Sequence, residues 1–248
     1  MLIYIGFDDT DSKESPIGTG KLARWLDSEL PDGCLCKGVI RQQLLVSPEI
    51  PYTSHNSSAC FLAEIADPIL MAIVIEKAID HLSKHAVAGS DPGLCVIAET
   101  DPYMSDLMEF GHCCTHTVMS QAQAIRAAGS AHLSGHGGTK DGIIGAAAAV
   151  GLTAAGWLGR YIEFDGLRDY PQMISVSELN ARHIAVISID RDATAPAPQD
   201  MVLTNEWLRP RRMAHEPVLL VSLMEAGLWK NIYSKNKKKE SKPTDQQH

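Results

Sequence analysis

LIYIGFDDTDS, residues 2–12, starts as an apolar strand and ends in three carboxylates. Leu2, Ile3, Tyr4 and Ile5 suit a buried strand that stops at Gly6. Asp8, Asp9 and Asp11 then fall within four positions. Carboxylates this close repel one another unless water or a cation surrounds them. Two readings are open. Asp and Ser make turns and helix caps, so the stretch can be a solvated loop. It can also be a magnesium site, because Mg²⁺ takes one or two carboxylates and completes its shell with water and substrate phosphate. An EF-hand is excluded by the missing Gly at position six and Glu at position twelve of such a loop.

The next residues favour phosphate chemistry. Gly18, Thr19, Gly20 and Lys21 lead into the amphipathic stretch KLARWLDSEL, with Leu22, Trp25, Leu26 and Leu30 on one face. Glycines let backbone approach a phosphate, the helix start presents N–H groups, and Lys21 adds positive charge. This is not a Walker A motif, since Leu22 follows Lys21 where that motif has Ser or Thr. A second loop repeats the arrangement: Gly135, Gly137 and Gly138 precede Thr139, Lys140 and Asp141 and open onto a helix of Ile, Gly and Ala. Its other reading is a tight helix–sheet contact with a flexible entry, for which Gly145 and Ala146 to Ala149 are suited. Taken together, two glycine loops and an acidic cluster point to a nucleotide, magnesium and a catalytic carboxylate.

Further along, GVIRQQLLV (38–46), SACFLAEI (58–65), GLCVIAE (93–99), RYIEFDGLR (160–168) and HIAVISID (183–190) are expected strands, with a last one near Val218. DPILMAIVIEKAIDHLSKHA (67–86) and HTVMSQAQAIRAAGSA (116–131) are expected helices. This mixture of strands and helices indicates α+β, not a regular βαβ array.

The chain has 248 residues, 45% hydrophobic and 21% charged, enough to bury one large core or two small ones. No apolar stretch is long enough to span a bilayer, and the acidic start does not resemble a signal peptide. The six cysteines form no CxxC pair, which fits reduced thiols and a cytoplasmic setting. Net charge is −8; the Lys-rich tail from Lys235 carries +3, so the body carries −11. Such a body disfavours nucleic acid as a partner, although a local basic patch is compatible with it. The tail, nearly free of apolar residues, is expected to be disordered. The run Arg209-Pro210-Arg211-Arg212 reads as a solvated face or an anion contact. His112 and His116, around Cys113 and Cys114, have the spacing of a helical metal pair but lack an evident third ligand.

IGFDDTDS followed by IGTGKLA resembles the opening motif of the archaeal isoleucine-tRNA 2-agmatinylcytidine synthetase family. LLVSPEIPYTSHNSSACFLAE, DPGLCVIAE, the stretch THTVMSQAQAI, GTKDGIIGAAAAVG and AHEPVLL come in the same order, over roughly residues 1–227. The resemblance implies a mixed-sheet kinase-like domain plus a ferredoxin-like α+β domain, here placed at 1–128 and 129–233, with 234–248 as tail. It implies ATP and Mg²⁺, with Asp8, Asp9, Asp11 and Thr19 catalytic, Thr19 standing where the family is phosphorylated. Asp8 and Asp11 would hold the metal. Gly18, Gly20, Lys21, Gly135, Gly137, Gly138, Thr139 and Lys140 would bind the nucleotide, and His55 and Asn56 would face substrate. The family's oligonucleotide-binding barrel and zinc ribbon have no counterpart here, and Thr53 to Ser57 lacks the family's two basic residues. The expected function is therefore ATP- and magnesium-dependent phosphotransfer to an unknown acceptor. A tRNA-modifying enzyme that needs a partner RNA-binding chain, and a non-catalytic nucleotide-binding protein, are the alternatives.

Overall fold

The opening apolar run lies inside a sheet, where its alternate side chains enter two cores. The computed structural model describes residues 1–12, 14–15, 17–52, 55–191, 194–204 and 207–232. β1 (Leu2–Asp8) is followed by α1 (Thr19–Trp25), which tightens into a 3-10 segment at Leu26–Glu29. Then come β2 (Cys34–Gln43), β3 (Ser57–Ile65), α2 (Leu70–His85), β4 (Gly93–Ala98), α3 (Met104–Cys113), α4 (Gln121–Ala128), β5 (His132–Gly135) and α5 (Gly142–Ala155). The remainder is β6 (Arg160–Glu163), β7 (Met173–Ser175), α6 (Val176–Ala181), β8 (Ala185–Ser188), β9 (Met201–Leu203), β10 (Arg211–Met213), β11 (Glu216–Glu225) and β12 (Leu228–Asn231). Among the described residues the strands join in one mixed sheet, ordered β5-β4-β1-β3-β2-β6-β10-β11-β12-β9-β7, with β8 added beside β11. Of these pairings, β8–β11 and β9–β12 are parallel and the others antiparallel. The fold is α+β, as expected.

Strand alternation divides the core. Ile3, Ile5 and Phe7 pack with Leu22, Ala23 and Leu26 of the first helix and Val74, Ala78 and Leu82 of α2. Tyr4, Cys60, Leu62, Cys95 and Ile97 face the other way, toward α5 and, beyond it, Leu107 and Phe110 of α3. α5 is apolar all round because it is covered all round, by sheet on one side and α3 on the other. Its small residues allow its backbone to lie directly on β1: a Cβ at Gly6 would stand 2.1 Å from the Ala146 carbonyl oxygen.

Several boundaries differ from the sequence expectation. The helix expected over 116–131 is confined to Gln121–Ala128, because Ser120 and Gln123 form a capping box that starts it late. α3 has no counterpart among the expected elements, although Leu107, Phe110 and Gly111 have helical spacing and are buried. Neither has α6, despite a capping box between Ser175 and Glu178. The boundary expected between residues 128 and 129 separates α4 from β5, yet β5 pairs with β4 and α5 packs on β1 and β4. The expected tail, 234–248, lies outside the described residues.

A buried polar network joins the early and late strands. Gln42 Nε2 donates to Thr153 Oγ1 (3.0 Å) and to the Leu158 carbonyl (3.1 Å). Arg212 donates through Nε to the Thr153 carbonyl (2.8 Å) and through Nη1 to Tyr161 Oη (2.7 Å) and the His215 carbonyl (2.8 Å). Arg212 is thus a core residue, 3% exposed, and not part of a solvated basic face.

Candidate active site

β1 delivers Asp8 to the point where α5 begins. The carboxyl rests against Gly145, where a Cβ would lie 1.8 Å from Oδ2. Burial pushes the Asp8 pKa well above the usual carboxylate value, and the Asp9 and Asp11 charges push the same way. Asp9 takes a left-handed backbone, φ 48°, which turns the chain sharply out of the strand. Its carboxyl is pushed up to about 6 by burial and by the charges of Asp91, Asp11 and Asp141. Five carboxylates from three separate chain segments therefore share one electrostatic neighbourhood.

Asp91 and Asp141 carry no distinguishing signal in the sequence, and they shape the second glycine loop. Asp91 accepts the backbone N–H groups of Lys140 and Asp141, both at 2.8 Å, and the Thr139 hydroxyl. Burial acts to raise its pKa, and these bonds override that and hold the carboxyl below the usual range. Asp141 accepts from Gln121 Nε2 (2.6 Å) and from the Thr139 hydroxyl (2.9 Å). Two N–H groups that could have met a phosphate are thus already bonded to a carboxylate.

The first glycine loop closes the other side. The Thr10 hydroxyl donates to Thr19 Oγ1 at 3.1 Å, tying the acidic loop to the start of α1. A Cβ on Gly18 would sit 3.0 Å from Asp11 Oδ2, so glycine there brings Asp11 and the α1 entry together. Between the two loops lies a cavity of about 700 Å³. Asp8, Asp9, Asp11, Gly18, Thr19, Gly20 and Lys21 line it, as do Gly138 and Thr139 from the second loop and His55 and Asn56 from the approach to β3. Gly135, Gly137 and Lys140 are not in the lining: the Lys140 side chain packs over Gly135, and Gly137 packs on Asp91. Asn56 has a structural duty as well, its amide donating to the Leu45 carbonyl at 2.6 Å.

Charge balance over the whole chain hid a basic wall. Arg24, Arg41 and Arg168 also line the cavity. Burial lowers the Arg41 pKa, and the Arg209 charge lowers it further. Arg160 is lowered by burial and by Arg211, Arg209 and Arg41. The Trp207 ring lies between the guanidinium groups of Arg168 and Arg209, 4.2 and 4.1 Å from its centroid. The stack fixes two guanidinium groups in place, where an anion can meet them. The expectation that charge disfavours nucleic acid holds for the net value and misses this cluster, because the arginines come together only through the β2–β6–β10 pairings.

No protein-family model and no curated protein sequence matches the chain. Solved structures do match. A tRNA fluorescent labeling enzyme is 26% identical, with a TM-score of 0.53, over 61% of this chain and 36% of its own. TiaS, a tRNA agmatidine synthetase, in complex with tRNA and ATP is 25% identical, with a TM-score of 0.52, over 61% and 36%. Apo TiaS is 24% identical, with a TM-score of 0.51, over 61% and 35%. Over that 61% this chain is folded like TiaS. It spans little more than a third, 36%, of the length of these TiaS-like structures. No described helix is long and apolar enough to cross a membrane.

The Asp9 environment gives a direct stability test. A carboxyl with a raised folded-state pKa contributes stability at low pH that is lost as pH rises from about 3.8 to about 6. Asn tolerates a left-handed backbone and removes the charge. Asp9→Asn is expected to raise stability at pH 7.5 by about 1–2 kcal/mol, after allowance for partial exposure, and to leave it unchanged at pH 3. Denaturant unfolding at the two pH values checks this, and equal shifts at both would refute the electrostatic cause.

Proposed function

We propose that this chain binds ATP with magnesium in the cavity between its glycine loops and transfers a phosphoryl group during modification of a tRNA. The observation that carries the reading is the meeting of Asp8, Asp9, Asp11 and Thr19 in one cavity whose lining also includes Arg24, Arg41 and Arg168. The likeness to TiaS, solved with tRNA and ATP, supports it.

The acidic group fits a divalent cation chemically. A buried Asp8 carboxyl, pushed toward its neutral form by burial and by adjacent carboxylates, is relieved when a dication neutralises them. Asp8 and Asp11 would hold the ion, which supplies charge neutralisation on the polyphosphate. Gly18, Gly20 and Gly138 leave backbone open to the phosphates, and Lys21 with Arg24 offsets their charge. Thr19 Oγ1, oriented by Thr10, would accept the phosphoryl group or contact it. Asp9, with a pKa of about 6, is suited to take a proton from an attacking hydroxyl near neutral pH. Positioning and charge complementarity would supply most of the catalysis, as is usual for phosphoryl transfer. Arg41 and Arg209 would receive the RNA by phosphate contact. The ferredoxin-like part would be the βαββαβ run β1-α1-β2-β3-α2-β4, paired antiparallel in the order β4-β1-β3-β2 with α1 and α2 on one face, and not the 129–233 stretch expected from the sequence. Six unpaired cysteines suit work in the reducing cytoplasm.

The decisive experiment gives the protein γ-labelled ATP, magnesium and a tRNA pool, and tracks label on protein and RNA separately. Label on Thr19 or on RNA supports the reading. ATP that binds without any transfer would instead indicate a nucleotide-binding protein. The RNA part has its own test. The double substitution Arg41→Ala with Arg209→Ala should weaken tRNA binding by roughly 10-fold at low salt and reduce the salt slope by about 2. An unchanged slope in gel-shift titrations would remove these arginines from the interface.

A further inference from the structure

On the opposite face of the sheet from α5, three metal-ligating side chains converge where the phosphate chemistry gives them no role. Glu29 stands at the end of the 3-10 segment after α1, and His81 and His85 lie one turn apart on α2. Their candidate ligand atoms all fall within 4.8 Å of one another. Glu29 Oε1 is 3.0 Å from His85 Nε2, and Glu29 Oε2 is 3.1 Å from His81 Nδ1.

His81 distinguishes this group from an ordinary surface ion pair. Its side chain is fully buried, 0% exposed. Nε2 lies 2.9 Å from the Leu22 carbonyl, which can only accept, so the proton of the neutral ring is on Nε2. That leaves a lone pair on Nδ1 directed toward a carboxylate. Nδ1 makes no hydrogen bond: Glu29 Oε2 is close but off the line that a ring N–H would take. A buried nitrogen lone pair beside a carboxylate and a second imidazole forms a ready set of donors for a metal cation.

We propose that Glu29, His81 and His85 form a zinc-binding site, with Glu29 Oε, His81 Nδ1 and His85 Nε2 as ligands and water in the fourth position. Zinc favours this ligand class, and tetrahedral bonds of about 2.1 Å place ligand atoms about 3.4 Å apart, between the 3.0 and 3.1 Å glutamate–histidine distances and the 4.8 Å that bounds the whole group. The His81–Leu22 hydrogen bond is the support that zinc-bound imidazoles commonly have, since it fixes tautomer and ring orientation. The Trp25 ring packs edge-on against His85 at 5.5 Å, and the Phe7 ring approaches His81 at 6.5 Å, giving the site an apolar surround. Lys84 also reaches Glu29 Oε1, at 3.2 Å, but its side chain is 66% exposed and free to swing into water. Bound zinc would pin the end of the α1 segment to α2, and α1 is the helix whose first residue is Thr19.

Chelator-treated full-length protein titrated with Zn²⁺ or Co²⁺ tests the site. The expected result is one equivalent bound, tetrahedral cobalt bands without a thiolate charge-transfer band, and millimolar Mg²⁺ unable to compete. His85→Ala and Glu29→Gln should each weaken binding by roughly 100-fold or more, and Cys34→Ser with Cys36→Ser should leave it unchanged. His85 is partly exposed, so its loss should spare the fold, to be checked independently by circular dichroism. Absence of binding, a thiolate band, or binding unaffected by both His85→Ala and Glu29→Gln would each overturn the proposal.

Discussion

Asp8→Asn is expected to lower magnesium-dependent ATP turnover by roughly 1,000-fold or more while making the protein more stable at neutral pH. The first effect comes from position: Asp8 lines the cavity against Gly145 at the start of α5, and losing one well-placed electrostatic partner at a reacting centre commonly costs 100- to 1,000-fold. Losing a metal ligand adds to that loss. The second effect comes from linkage. The folded-state pKa of Asp8 is raised, by burial first and by Asp9 and Asp11 after it. The folded protein therefore holds a proton that the unfolded chain releases above its usual value of 3.8. Stability from this group is present below that value and is lost as pH rises toward the folded pKa. Asn has the shape and neutrality of the protonated acid, so the variant escapes the loss. Thermal unfolding without magnesium, measured from pH 3.5 to pH 8, should show the two proteins alike at the acid end and the variant ahead at the alkaline end. Added magnesium should narrow the gap by stabilising only the native carboxylate. Full turnover in Asp8→Asn, or a variant less stable at every pH, would dissociate Asp8 from the proposed metal.

The first strand and the acidic turn are legible in the sequence because their signals are local. An apolar run ending in Gly6 and three aspartates requires no knowledge of distant contacts. The same is true of α2, whose apolar face repeats over sixteen residues. The features that the sequence conceals depend on the sheet order. Asp91 reads as one residue of a turn before β4, and it enters the site only because β4 lies beside β1 and the loop before α5 folds over it. Arg41, Arg160 and Arg209 are drawn from stretches up to 168 positions apart and become neighbours through two strand pairings, so net charge gives no hint of them. Arg212 shows the reverse error. It sits in a basic run, yet strand alternation turns it inward to Thr153 and Tyr161 while Arg211 stays exposed. His81 is legible only as a member of a helix, because its partner Glu29 comes from an element whose docking angle no spacing rule supplies.

Three glycines should separate fold from function in a graded way. At Gly6 an added Cβ would meet the Ala146 carbonyl oxygen at 2.1 Å and Val150 at 2.9 Å. Neither the helix backbone nor the strand can rotate away, so Gly6→Ala should exceed the usual 1–3 kcal/mol cost of overpacking and cost about 4 kcal/mol or prevent folding. At Gly145 the atom in the way is the Asp8 carboxylate, which belongs to a side chain that can move. Alanine also favours the helix by about 1 kcal/mol over glycine. Gly145→Ala should therefore fold with a loss of about 1–2 kcal/mol, yet lose magnesium-dependent turnover almost as fully as Asp8→Asn, because Asp8 is driven from its place. Nothing lies within 4 Å of a Cβ at Gly138, in the cavity wall. Gly138→Ala should leave stability within about 0.5 kcal/mol and act, if phosphate passes close to that backbone, on the KM for ATP alone. Denaturant melts paired with ATP kinetics on the three variants distinguish the cases. If Gly145→Ala kept normal turnover, Asp8 would not be the carboxylate on which the chemistry depends, because the added methyl displaces it directly without substituting any charged residue.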